Sequence, residues 1–461
     1  MKATLPALGL LLAATALADP ATLHMQAMAR LQQGQPEAAR DLARQALAAD
    51  ADALAQSQVT DLGTLADTEA ALHADDDAET HYRQALVLDE KLHGDEQASL
   101  DASLNHLAHF YSSRYRFAEA RPLYQRMVSI FEAAYGPDHP AVAQRLLRLA
   151  SFEQWQGHYA TALPLFERAL ATDSKEYGAT ARAAVARMGD LADCEVAAGH
   201  YAAAGKRYEQ MLDAQDATSG LDPAYRARTL EAEALLELHQ QDFHAAGKLL
   251  RKAAGLYAGS PADNRLAQAA NLGLQADSLR LASHAADAAP LYQQAMSSYS
   301  GLLDSDPTLP EATLPPWAQV LDHAALNSAA LGQDAEARAR FAQAQSLYRK
   351  ALGPDSPALA ESLDDEAGFQ LARQQPGQAE ALYRQALAMQ EKTLGLDSPA
   401  LTESLRGLAQ LAAARQDNAA TLALLQRAQT VLDKAYGTDS PLAEPVRQAL
   451  AGLQEKKGEP R

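Results

Sequence analysis

The sequence reads as an all-α chain, a solenoid of about ten tandem helix pairs closed by a capping helix. Three observations carry that expectation. Composition favours helix throughout, an apolar pattern recurs every 42 residues, and Gly, Asp and Pro punctuate the pattern at matching places.

Composition excludes the most. Ala, Leu, Gln, Glu and Arg are abundant, and isoleucine occurs once, at Ile130. Strands favour β-branched and aromatic residues, whereas Ala and Leu are the best helix formers. A hydrophobic content of 48% rules out wholesale disorder. With 40 basic against 59 acidic residues the formal charge is −19, which suits neither nucleic-acid phosphates nor anionic lipid surfaces. Acidic runs such as Asp75-Asp76-Asp77 read as solvated faces or turns. The lone cysteine, Cys194, permits no internal disulfide and no cysteine metal site.

The N-terminus carries an address. Lys2 precedes an apolar core from Leu5 to Leu12, and Ala16-Leu17-Ala18 reads as a small-x-small cleavage site before Asp19. Residues 1–18 are therefore expected to be a signal peptide cleaved after Ala18, making the mature chain periplasmic or secreted. A buried first helix is the competing reading. The apolar stretch is short of the about 20 residues a membrane span needs, so no stable membrane insertion is expected after cleavage.

The repeat begins to show in second helices of the form Ala-x-x-x-aromatic, as in Ala78 to Tyr82. Anchors fall at Tyr82, Tyr124, Phe166, Tyr208, Leu250 and Tyr292, each 42 apart. The next is Phe341 after a step of 49, and then Tyr383 and Leu425 restore 42. A looser copy centred on Ala43 precedes them. Upstream of several anchors a first helix carries Leu-x-x-Leu-Ala, as in Leu104 to Ala108 and Leu405 to Ala409. Leucines three and four apart make one helical stripe, and the small residues let two backbones approach. Loops such as Leu394-Gly395-Leu396-Asp397-Ser398-Pro399 stop one helix at Gly, cap the next with Asp or Ser, and place Pro in its first turn. They are short enough to force antiparallel stacking.

This organisation predicts repeats 1–7 over residues 19–300 and repeats 8–10 over 317–438. Between them, 301–316 is a Pro-rich segment holding the seven extra residues, either a surface loop or a hinge. The loop is favoured because the register resumes at once. A capping helix is expected over 439–454 and a disordered tail over 455–461.

The pattern resembles tetratricopeptide repeats, and the 42-residue period with Leu-Gly-x-Asp-Ser-Pro is similar to the kinesin-light-chain subtype. The resemblance covers about residues 22–440. It implies a right-handed α-solenoid superhelix of tandem helix-turn-helix units whose first helices line a concave groove that holds partner segments. In that subtype the first helix typically reads Leu-Asn-Asn-Leu-Ala, with asparagines facing the groove. Here only Asn105 keeps the family residue. The groove-facing set implied by the resemblance is Asn105, His106, Arg148, Asp190, Asp322, His323, Asp364 and Asp365. Its chemistry turns acidic toward the C-terminus, which suits a basic or polar protein or peptide partner; ordinary solvated helix residues are the competing reading.

Signs of chemistry are few. There is no Gly-rich phosphate loop, Gly-x-Ser-x-Gly elbow or His-Glu-x-x-His pair. Cys194 has no base nearby in sequence and reads as a small buried thiol. His106 and His109 are two potential ligands without a third, and the 42-residue spacing of His158 and His200 belongs to the repeat. No catalytic residue, cofactor or metal is expected. The function expected is a non-catalytic scaffold or adaptor in the cell envelope. The alternative is an accessory regulatory subunit, activator or inhibitor, of an exported enzyme. The sequence leaves the oligomeric state open.

Overall fold

The computed structural model describes residues 19–49, 55–94, 98–218, 221–260, 263–306, 309, 311–438 and 440–458; the expected signal peptide lies outside them. Among the described residues there are only helices and their connections. They come as helix-turn-helix pairs: α1 (Pro20–Gln32) with α2 (Pro36–Ala49), α3 (Ala55–Ala71) with α4 (Asp75–His93), α5 (Asp101–Ser113) then α6 (Phe117–Tyr135), α7 (Pro140–Trp155) with α8 (Tyr159–Tyr177), and α9 (Arg182–Ala197) with α10 (Tyr201–Asp216). The series continues with α11 (Pro223–His239) and α12 (Phe243–Gly259), α13 (Arg265–Leu281) and α14 (Ala285–Ser305), α15 (Leu314–Ala330) and α16 (Asp334–Leu352), α17 (Pro357–Ala372) and α18 (Pro376–Leu394), and α19 (Leu401–Ala414) and α20 (Asn418–Tyr436). A final helix, α21 (Glu444–Gly458), packs on α20 and covers its apolar end through Val446, Leu450 and Leu453. Its backbone stays helical to Gly458, through the first four residues of the segment read as a tail.

Each pair turns through one residue in the left-handed region. That residue is Gly34, His73, Tyr115, Gly157, Gly199, Gln241, Ser283, Gly332, Gln374 and Gln416 in order, with φ between 57° and 79°. Only four are glycine, so six turns hold an L side chain in a conformation costing about 1 kcal/mol, offset by the packing of both helices. The aromatic anchor of a repeat lies between its own first helix and the next pair. Tyr208, for example, packs among Val185, Met188 and Leu236. Burying such a ring contributes roughly 3–4 kcal/mol.

Two compact units divide the described chain, the first ending at Phe110 and the second beginning at Tyr111. Within each, consecutive first helices touch: α1 and α3 in the first unit, and α9 with α11 and α13 through α19 in the second. Among the described residues, consecutive second helices make no comparable contact. A stack compressed along its first helices curves toward them, so these helices form the inner face.

The second unit also returns on itself. α8 packs against α20, where the Tyr159 and Tyr436 rings stack at 5.3 Å and 15°. Gly157 lies where a Cβ would come within 2.4 Å of the Pro399 ring, so only glycine fits between the two turns. Leu442 similarly approaches Gly199.

The seven extra residues lengthen α14 by two residues relative to α16, and the remainder passes through a short 3-10 turn, Glu311–Thr313. Across this segment Tyr292, Ala295 and Tyr299 pack on Val320 and Ala324 as in any other repeat, with Trp317 against the same cluster.

Candidate binding face

The inner face is built from joints that recur along the chain. A residue on one first helix meets a partner 26 residues on, in the second helix, and another 40 residues on, in the next first helix. Glu231 accepts hydrogen bonds from Tyr257 Oη at 2.6 Å and Asn271 Nδ2 at 2.7 Å. Asp322 accepts from Ser362 Oγ at 2.7 Å and from Tyr348. Asp364 accepts from Gln390 Nε2 at 3.0 Å and Ser404 Oγ at 2.6 Å. Where the first residue has no polar side chain the other two meet directly. Arg187 donates to Asp173 opposite Leu147, and Gln215 donates to Thr229 opposite Gly189.

This arithmetic corrects two expectations. Asp322 and Asp364, expected on the groove, are only 4% and 5% exposed and lie inside joints, because the first variable position of Leu-x-x-Leu-Ala points between repeats. Burial pushes the Asp322 carboxyl up to about 8, aided by nearby Asp365 and opposed by Ser362, His323 and Tyr348. Burial likewise pushes Asp364 up to about 7, against the hydrogen bonds from Ser404 and Gln390.

The second variable position of the motif does reach the inner face. His323 and Asp365 sit there on α15 and α17, partly buried and electrostatically coupled. Around them is a cluster absent from the sequence-derived set. Tyr292 Oη donates to Asp277 Oδ1 at 2.5 Å, Arg280 Nε donates to Tyr292 Oη at 3.0 Å, and His323 Nδ1 lies 2.9 Å from Asp277 Oδ2. Burial alone would raise Asp277, yet His323, Tyr292 and Arg280 hold its carboxyl below the usual range. Against burial, Asp277 holds the His323 imidazole above its usual value. Asp365 is pushed up to about 6 by burial, with His323 and Arg280 opposing and Glu361 and Glu403 adding to the rise. Arg280 and His323 are thus engaged by Asp277 and Arg406 by Glu403, while Asp365 and the exposed Glu361 leave local acidity in excess.

The remaining expected residues are dispersed. Asn105 and His106 lie in the first unit, His106 edge-on to Tyr82 with Nδ1 3.9 Å from Asp67. Arg148 and Asp190 occupy the same motif position on α7 and α9, and Asp190 accepts from Arg187 Nη1 at 3.2 Å. A sequence signal for the Asp277 cluster was present. Tyr82–Asp67, Tyr208–Asp193 and Tyr292–Asp277 are hydrogen-bonded pairs 15 residues apart. Tyr124 and Tyr383 have His109 and Gly368 at that distance, and where the anchor is Phe166, Leu250, Phe341 or Leu425, the residue 15 earlier is Ser151, Leu235, Leu326 or Gln410, never a carboxylate.

Chemically, this face can donate and accept hydrogen bonds and pair with charge. Cys194 is fully buried, and burial, with Glu195 and Asp193 adding, pushes its thiol up to about 12. Among the described residues no group of three His, Cys, Asp or Glu side chains is arranged to hold a metal ion.

Fold and inner face define a helical-repeat solenoid with a polar inner lining. The repeat is the tetratricopeptide repeat: two models of that description match the chain, one over residues 102–141 and the other over 143–217 and 318–392. The chain thus carries tetratricopeptide repeats over those residues. No protein of curated function matches its sequence. Similar solved structures include a kinesin light chain of Podosopora anserina with nearly identical TPR-like repeats, at 25% identity over 44% of this chain and 100% of that one, TM-score 0.40. BtubC (BKLC) from P. vanneervenii is 21% identical over 53% of this chain and 92% of its own, TM-score 0.41. Aspartyl phosphate phosphatase F from Bacillus subtilis is 12% identical over 95% and 98%, TM-score 0.48.

Proposed function

We propose that this chain is a non-catalytic scaffold of the cell envelope that holds basic or polar segments of partner proteins against its inner face. Tetratricopeptide repeats bind proteins or peptides, which supplies the coarse function. The observation that carries the finer reading is the excess acid beside Asp365: Glu361 is exposed on the same first helix, Glu403 on the next is matched by Arg406, and Arg280 and His323 are committed to Asp277. Charge complementarity of this kind sets partner choice and association rate. The envelope location rests on the leader pattern of residues 1–18.

The test is affinity capture from an envelope extract of the native host, with Glu361→Lys/Glu403→Lys beside the unaltered chain. Partners carrying a basic segment, recovered with the unaltered chain and lost with the reversed one, support the reading. Equal recovery by both overturns it. One stoichiometric enzyme among the recovered proteins favours the alternative, a regulatory subunit; several envelope components favour a scaffold.

A further inference from the structure

The joint at Gly63 is left incomplete. In the first unit the three joint positions are Gly63, Asp89 and Ser103. Ser103 Oγ donates to Asp89 Oδ2 at 2.6 Å, as the rule requires, but Gly63 supplies no side chain to complete the set. Other glycine joints are filled by a neighbour. A Cβ on Gly273 would come within 2.8 Å of a Val320 methyl, and one on Gly189 within 3.2 Å of the Met211 methyl. At Gly63 the nearest such atom is His106 Nδ1, 3.5 Å away. A cavity of about 220 Å³ opens there, lined by α1, α3, α4 and α5.

Asp89 lines this cavity at 2% exposure, and its Oδ1 accepts no hydrogen bond. His93 Nε2 lies 3.9 Å off and is engaged with Gln56 Oε1 at 2.7 Å. A buried carboxylate oxygen without a donor is unfavourable, so a donor brought by a ligand is favoured there. The rest of the wall fits a cation on an aliphatic stem. Met28, Val59 and Ala85 offer apolar surface, and Asp67 adds a second carboxylate.

We propose that the Gly63 cavity takes the side chain of a lysine on a partner protein, its ammonium meeting Asp89 Oδ1 and its methylenes lying along Met28 and Val59. The ammonium stands where the joint's missing side chain would be. Charge-assisted pairing of an ammonium with a carboxylate is about twice as strong as a neutral hydrogen bond. The inference rests on the proposed binding of basic segments and assigns them a particular anchor.

The test uses the full chain labelled with ¹³C at its methionine methyls. Met28 lines the cavity, and exposed Met25, on the same helix, serves as control. Nα-acetyl-lysine N-methylamide should shift the Met28 methyl saturably and leave Met25 in place. The norleucine analogue, which has the stem without the ammonium, should not. Asp89→Asn, which can still accept from Ser103, should weaken the lysine response at least tenfold. Gly63→Asn keeps Asp89 and puts an amide in the gap, so it should abolish the response even if Asp89→Asn folds poorly. A Met28 shift of equal size with the norleucine analogue, or an undiminished lysine response in Gly63→Asn, overturns the proposal. So does a putrescine response at least tenfold tighter than the lysine response, since the site would then serve a free diamine. Because this titration involves no captured partner, its failure leaves the affinity-capture result standing, and the reverse also holds.

Discussion

Replacing Asp322 with asparagine should stabilise the chain at neutral pH and do nothing in mild acid. The carboxyl is 4% exposed, and burial pushes it from 3.8 up to about 8. Its folded value lies above its unfolded one, so between those pH values the native state holds a proton the unfolded chain has released. Native protonation in excess makes stability fall as pH rises through this window. At about pH 7.5 the gap corresponds to a nominal ~5 kcal/mol, at 1.36 kcal/mol per pH unit. Reorganisation of Ser362, Tyr348 and penetrating water returns more than half, leaving a penalty of about 2 kcal/mol. In Asp322→Asn the side-chain amide can accept from Ser362 without ever ionising and so escapes that penalty. Thermal unfolding followed by far-UV circular dichroism should show a midpoint several degrees higher for Asp322→Asn at about pH 7.5, and coincident midpoints at about pH 4. A variant less stable than the parent at both pH values would refute the reasoning, because Asp322 would then be a stabilising ionised group.

Three further outcomes follow from the same geometry. Tyr436→Ala removes the ring that stacks on Tyr159, so the second unit should open; small-angle scattering should report a larger radius of gyration with helix content unchanged. Cys194, fully buried with its thiol pushed up to about 12, should react with a thiol reagent only after unfolding, and rapid labelling of the native chain would contradict that placement. Gly157→Ala drives a methyl into the Pro399 ring at a residue with φ of 79°, and should cost about 1–3 kcal/mol in chemical denaturation while Gly34→Ala, with open space, costs less.

The helices were legible because each carries its own stripe and punctuation within about 20 residues. The 42-residue step then placed the repeats, while six inner turns hold His73, Tyr115, Gln241, Ser283, Gln374 and Gln416 where glycine would have marked them. The joints were harder to read. Asp322 and Asp364 look like solvated acids when a single helix is read alone; their hydrogen-bonding partners lie 26 and 40 residues away and vary from joint to joint. The spacing of 15 between Tyr and Asp recurs in the sequence and would have led to the Asp277 cluster. The contact between Gly157 and Pro399 could not be read at all, since it depends on small rotations accumulated over successive repeats.

The most direct test of partner binding on the inner face is site-specific photocrosslinking in the native host. A photoreactive residue would replace Arg148, Asp190 or Glu361 on first helices, and exposed Glu167, Gln210 or Gln385 on second helices. Covalent partner adducts from the first set and none from the second are the result expected. Adducts formed from the second-helix positions, with the first-helix positions silent, would contradict the account.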